Sequence, residues 1–259
     1  MNLLESPWHK LAVAVVFTLA CAAMRTDSVG AGNSRLSARM LALPRETLWV
    51  WERREDLRSL NAARVAIATL DQTIVLGSST VSVPRREPFL YATGASRIAV
   101  VRMEAVTGAK LDSTQRHEAV EMLLATARQA NTAALQVDFD AKKSQRDFYR
   151  ELLWDLRGRM PKNLPLSITA LASWCSNDDW IADLPVEEAV PMLFRMEPDR
   201  RYASRDLPQF HIREPLCMGS VGVSTREAWP TDMDGKRVYI FADRGWREDL
   251  PILRERKLE

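Results

Sequence analysis

Leu135-Gln136-Val137-Asp138-Phe139-Asp140 is the stretch whose reading decides the fold of this chain. Side chains alternate across a strand, so Leu135, Val137 and Phe139 share one face while Gln136, Asp138 and Asp140 share the other. In a parallel barrel the apolar set packs against surrounding helices and the polar set points inward, rising to the mouth at the C-terminal end of the strand. Two carboxylates in that position are costly unless they are paired, hydrogen-bonded or used. Barrel enzymes build their sites at that end, from strand termini. A purely structural account has one aspartate capping the next helix and the other binding a neighbouring arginine. Ser144, with Asp147 three residues on, resembles that helix's own capping box and argues against the first half of this account.

Working outward, seven further runs are short, apolar and often β-branched: 48–51, 65–70, 98–104, 166–174, 189–196, 216–223 and 238–243. Helical spacing of Val120, Leu123, Leu124 and Ala127 predicts a helix over 114–130, between the third and fourth strands. Phe148, Leu152 and Leu156 predict another over 145–160, ended by Pro161 and Asn163. About eight strands alternating with helices predict an α/β fold, a (β/α)8 TIM-like barrel. Ile74–Leu76, the Gly77-Ser78-Ser79 turn and 81–83 read as a β-hairpin inserted after the second strand. The first and sixth connections are too short for full helices, so the barrel is expected to be degenerate, with an open doubly wound sheet as the alternative fold.

The N-terminus has another character. Residues 11–23, LAVAVVFTLACAA, are an apolar run flanked by Lys10 and by a polar stretch from Arg25. About thirteen apolar residues are short for a bilayer span but fit the core of a secretory signal. The expected organisation is therefore a signal peptide or membrane anchor over 1–24, a linker over 25–44 and the barrel over 45–259. Export to the periplasm or envelope follows from this, with Cys21 offering lipid anchoring as the second choice. Any membrane contact is expected through the N-terminal segment alone. Of the remaining cysteines, Cys175 and Cys217 read as two unpaired buried thiols rather than as a pair.

The chain has 259 residues, 46% of them hydrophobic and 27% charged, with a formal net charge of +2 and charges of both signs interspersed. No basic block marks a nucleic-acid groove, so no nucleic-acid partner is expected. A G-x-S-x-G elbow, a phosphate-binding G-x-x-x-x-G-K-[ST] loop and a G-x-G-x-x-G fingerprint are all absent. His9, His117 and His211 are scattered without zincin spacing. Neither a cofactor nor a metal site is expected, although the D-x-D pair leaves a hard divalent cation as a third reading.

Other strand ends supply candidates. Glu104 shares parity with Arg102 on the third strand and joins Asp138 and Asp140 as a candidate catalytic carboxylate. Arg102, Arg195 at the end of the sixth strand and Asp243 at the end of the eighth are candidate substrate-binding groups. Trp49, Trp51, Trp174 and Trp246 all fall at strands or strand ends. Flat aromatic faces at a barrel mouth suit sugar rings, and Trp51, Trp174 and Trp246 join the substrate-binding set.

Residues 135–175, LQVDFDAKKSQRDFYRELLWDLRGRMPKNLPLSITALASWC, resemble a bacterial family known as domain of unknown function 3142, as do CMGSVGVSTREAWP and VYIFADRGW further on. The resemblance implies a glycoside-hydrolase-type barrel. More distantly, Asp138 and Asp140 resemble the last two aspartates of the D-x-x-D-x-D-x-E strand of family 18 chitinases. In this chain Lys142 stands where that family has its acid. The expected function is accordingly an exported glycoside-hydrolase-like barrel acting on or binding a carbohydrate. Asp138 would stabilise charge or act as nucleophile, and Asp140 or Glu104 would act as acid. The alternative is a catalytically inactive carbohydrate-binding or envelope scaffold barrel.

Overall fold

Inward and outward parity on the strands is the organising feature of the structure, a computed structural model in which residues 38–194 and 211–256 are described. Eight parallel strands close on themselves: β1 (Glu46–Val50), β3 (Val65–Leu76), β6 (Arg97–Ala105), β7 (Thr132–Asp138), β8 (Leu166–Leu171), β9 (Glu188–Met192), β10 (Ser220–Ser224) and β11 (Arg237–Phe241). Closure is made by β1, which pairs with both β11 and β3. The fold is the (β/α)8 TIM-like barrel expected from the sequence, and the open sheet is set aside. Strand β3 runs on into an antiparallel hairpin with β4 (Thr80–Pro84), the expected insertion. A two-stranded parallel ribbon of β2 (Glu55–Leu57) and β5 (Phe89–Tyr91) lies outside the barrel.

Among the described residues, helices follow only some of the strands. Helix α2 (Ser113–Ala127) follows β6, α3 (Arg146–Arg159) follows β7, the single turn α4 (Ala172–Ser176) follows β8, and α5 (Trp246–Glu255) follows β11. The connection from β1 to β3 has no helix, as its length predicted. Asp112 caps α2 by accepting from the Gln115 amide at 2.9 Å. At α3 the expected Ser144 cap is not formed. A 3-10 turn precedes the helix, Gln145 is the N-cap residue, and its side-chain oxygen accepts from the Lys142 amide at 2.8 Å.

Leu135 and Val137 on the outer face of β7, and Phe139 just past its end, lie in one core with Val120, Leu123 and Leu124 of α2 and Phe148, Leu152 and Leu156 of α3. Each such leucine matters, since truncating a buried one to alanine typically costs about 2–5 kcal/mol. Inside the barrel a second core joins Trp49, Ala68, Ile98, Val100, Ala134, Val190, Tyr239 and Phe241. Helix α1 (Ala38–Ala42), in the stretch expected to be linker, adds Met40 and nearby Leu43 to this interior cluster. Arg237 ties it down, donating to the carbonyls of Met40, Leu43 and Pro44. Gly222 of β10 is needed for this packing: a Cβ there would meet Met192 Sδ at 2.6 Å and the Pro191 carbonyl at 3.3 Å.

Cys175 and Cys217 form a disulfide, which corrects the expectation of two free thiols. The turn after β8 and the turn before β10 approach until the two Cα atoms are 5.8 Å apart, within bridging range, although 42 residues separate them in sequence. Among the described residues no helix is long and apolar enough to cross a membrane. The N-terminal apolar run and Arg195 lie outside the described residues.

Candidate functional site at the barrel mouth

The polar parity of β7 builds the barrel interior from the middle upward. Gln136 is buried and bridges strands: Trp49 Nε1 donates to its Oε1 at 2.8 Å, and its Nε2 donates to Ser167 Oγ at 3.1 Å. Ser167 and Tyr239 both donate to Glu188 Oε1, giving an inward-facing carboxylate a hydrogen-bonded environment. Burial still pushes Glu188 upward, against the lowering effect of Arg237 and these donors.

One pleat above Gln136, Asp138 has only 9% of its side chain exposed. Both of its oxygens are occupied: Thr169 Oγ1 of β8 donates to Oδ1 at 2.7 Å, and Arg102 Nη1 of β6 donates to Oδ2 at 2.8 Å. Arg102 is the hub of the mouth. Its Nε donates to Glu104 at 2.7 Å and its Nη2 lies 3.7 Å from Asp140 Oδ2. Its guanidinium sits 5.4 Å from the Trp51 ring centroid, and Trp51 in turn meets Trp49 edge-on at 4.5 Å. Burial lowers the Arg102 pKa, but the negative charges of Asp138, Glu104 and Asp140 outweigh this and raise it overall. The guanidinium therefore stays charged, and it lies among the three carboxylates a divalent cation would need, which disfavours the metal reading.

The two outer carboxylates differ from Asp138. Asp140 and Glu104 keep 57% and 53% of their side chains exposed and face the opening. Desolvation by the surrounding rim, then the charge of Asp138, raises the Asp140 pKa, only partly opposed by Arg102. Asp140 thus holds a proton to higher pH than an ordinary aspartate and can donate it to a bound group.

The structure thus brings Asp138, Asp140, Glu104, Arg102 and Trp51 together, five of the residues singled out in the sequence. Trp174 and Trp246 are corrections. They are 2% and 1% exposed, Trp174 in the outer core against Trp180 and Trp246 donating its indole N–H to the Trp49 carbonyl at 3.0 Å. Both belong to the helices that follow the strands, Trp174 to α4 and Trp246 to α5, and their buried side chains cannot touch a ligand. Asp243 stands at the rim, where its amide donates to Asp249 at 2.8 Å and its carbonyl accepts from Arg53 at 3.2 Å. One partner was missed. Thr169 was detectable, because Ser167 and Thr169 continue the inward polar parity onto β8. Tyr149 of α3 packs in the outer core against Phe139 and Trp180, and its buried Oη finds no hydrogen-bond partner among the described residues. Burial, then the fields of Asp138 and Asp140, keep its phenol protonated.

Fold and mouth define the class: an eight-stranded parallel β/α barrel with an arginine-centred carboxylate cluster at its C-terminal opening. Residues 93–190, which carry β6, α2, β7, α3, β8 and most of β9, match the family described as "Domain of unknown function (DUF3142)". The family resemblance read from the sequence holds over that segment, while the likeness to family 18 chitinases is not shown. No curated protein and no solved structure matches the chain.

Proposed function

We propose that this protein is an exported glycoside-hydrolase-like barrel that acts on a carbohydrate held at its C-terminal mouth. The observation that carries the reading is the set of bonds from Arg102 to Asp138, Glu104 and Asp140. Glycoside hydrolysis needs a protonated carboxyl to assist the leaving group and an ionised one to stabilise or attack the sugar centre. Asp140, with its raised pKa, is the proton donor in this proposal, and Glu104 is the second exposed carboxylate. Asp138, with both oxygens engaged, is the fixed counter-charge of Arg102 rather than a nucleophile. Trp51 offers the aromatic surface for a sugar ring. Export is supported by the apolar run at 11–23 and by the Cys175–Cys217 disulfide, since such bonds persist in oxidising compartments.

A catalytically silent carbohydrate-binding barrel is favoured by one observation: Arg102 ties up both Asp138 and Glu104, and Thr169 takes the other oxygen of Asp138. A panel of neutral, amino and acidic polysaccharides, assayed for binding by calorimetry and for released reducing ends, separates the two. Turnover by the wild type that is lost in Asp140→Asn with binding retained supports the enzyme. Binding without turnover assigns the silent barrel. Failure to bind any member of the panel rejects the carbohydrate reading altogether.

A further inference from the structure

Two rows of side chains run out of the barrel mouth onto the β3–β4 hairpin. Strand register sets Asp138 beside Arg102, Arg102 beside Thr73 and Thr73 opposite Val83. One pleat higher, Glu104 stands beside Val75, and Val75 opposite Val81. Paired residues of adjacent strands project from the same face of a sheet, so the front of the hairpin continues the face that carries the Arg102 cluster. The charged rim thus gives way, within two strand spacings or about 10 Å, to an apolar strip. Val106, just past β6, adds to the strip by lying over the hairpin turn: a Cβ on Gly77 would meet its Cγ2 at 2.9 Å.

The polarity of β4 is the reverse of what a merely stable hairpin needs. The back of β3 presents Ile74 and Leu76 to the outer core. On β4, however, Thr80 and Ser82 are the better covered residues, while Val81 and Val83 face water. Ser82 donates to Gln72, which in turn donates to Thr126 Oγ1 of α2 at 2.7 Å. Thr80 Oγ1 is buried with no hydrogen-bond partner among the described residues. A strand that served only to cover α2 would have the opposite alternation, valines in and hydroxyls out. Val81, Val83 and Val106 are 48%, 37% and 50% exposed, and they are three of the eight large apolar side chains left exposed among the described residues. Their clustering beside the mouth marks a binding surface.

The size of the strip decides its occupant. Three half-exposed valines offer on the order of 200 Å², well short of the roughly 800 Å² that a protein partner covers on each side. That area suits one alkyl, acyl or aryl group, and its place beside the cluster suits a group attached to a ligand held there. We propose that the front of the hairpin is an apolar subsite of the mouth, taking a hydrophobic substituent carried by the ligand at the Arg102 cluster. With a sugar at the cluster, that ligand is a glycoside with a hydrophobic aglycone. Naming the polar half rests on the carbohydrate reading above, and the apolar half does not.

The test combines valine-methyl NMR and calorimetry on the full chain. The probes are octyl and methyl glycosides of glucose, galactose and N-acetylglucosamine, and 1-octanol. Octyl glycosides, kept below the concentration at which they form micelles, are expected to shift the methyls of Val75, Val81 and Val83. At least one should bind about tenfold or more tightly than its methyl counterpart, the effect of shielding two methylenes. Val81→Thr/Val83→Thr keeps the branched shape and the strand preference, and it should remove most of that gain. If this variant does not fold, Val106→Thr must reduce the gain instead. Shifts and affinity as strong from 1-octanol alone would keep the apolar subsite and remove the sugar, so the carbohydrate reading would fail while this one stands. The proposal is overturned if neither octyl glycosides nor octanol shift the valines, if octyl glycosides bind no tighter than methyl ones and octanol does not bind, or if the octyl gain persists in the folded variant. Light scattering that shows a dimer abolished by the variant would also overturn it, by assigning the strip to a second copy of the chain.

Discussion

Arg102 donates Nη1 to Asp138 Oδ2 at 2.8 Å across the β6–β7 register pair, and this bond fixes what each carboxylate at the mouth can do. It neutralises the buried aspartate, turns the rest of the guanidinium toward Glu104 and Asp140, and leaves those two facing the opening. An aspartate standing free at a barrel mouth could be neutralised at little cost to folding. Asp138 does not stand free.

Arg102→Met should therefore destabilise the protein by about 3 kcal/mol at neutral pH, the scale of breaking a buried pair from one side. Asp138→Asn should also destabilise, because an amide cannot serve both Thr169 and a full guanidinium charge as acceptor. The double substitution should cost clearly less than the sum of the two, since each removes the same bond. Urea unfolding of the four proteins measures this coupling, and strict additivity would mean the pair contributes nothing.

Asp140→Asn should behave in the opposite sense. A carboxyl whose pKa is raised by folding weighs against the folded state once it ionises. The substitution should thus raise the melting temperature at neutral pH. The gain should vanish below the ordinary aspartate pKa, where folded and unfolded chains both carry the proton, and be complete above the raised folded-state value. Thermal melts from acid to neutral pH check the sign. A stabilising substitution at an exposed rim position is the pattern expected of a residue kept for function.

The fold was legible because strand parity survives in the sequence. Leu135, Val137 and Phe139 pack outward, while Gln136 and Asp138 point in. The same alternation on β6 put Arg102 and Glu104 on the inner side, and this made the site legible too. Tryptophan positions misled, because Trp174 and Trp246 read as strand ends in the sequence but lie in the helices that follow, α4 and α5. Trp51 stands beside Arg102 at the opening, while Trp174 and Trp246 are buried. The cysteines misled for a related reason: the chain folds back through β9 between them, and nothing local to either records their approach.

Reducing the Cys175–Cys217 bridge should cost up to about 4 kcal/mol, the chain-entropy value for a loop of this size. Melting with and without dithiothreitol, in wild type and in Cys175→Ala/Cys217→Ala, measures it. Reductant should lower the wild-type midpoint to that of the variant and leave the variant unchanged. A wild type indifferent to reductant would mean that the bridge adds nothing to stability.

The clamp that places Asp138, Asp140 and Glu104 around one guanidinium is the claim from which the mouth's chemistry follows, and carboxyl-carbon NMR titration of Asp140 tests it most directly. In the wild type the Asp140 pKa should lie above that of a free aspartate. It should fall in Asp138→Asn, which removes the neighbouring negative charge and releases Arg102 toward Asp140. A wild-type value at or below the ordinary one, unchanged in Asp138→Asn, would contradict the account.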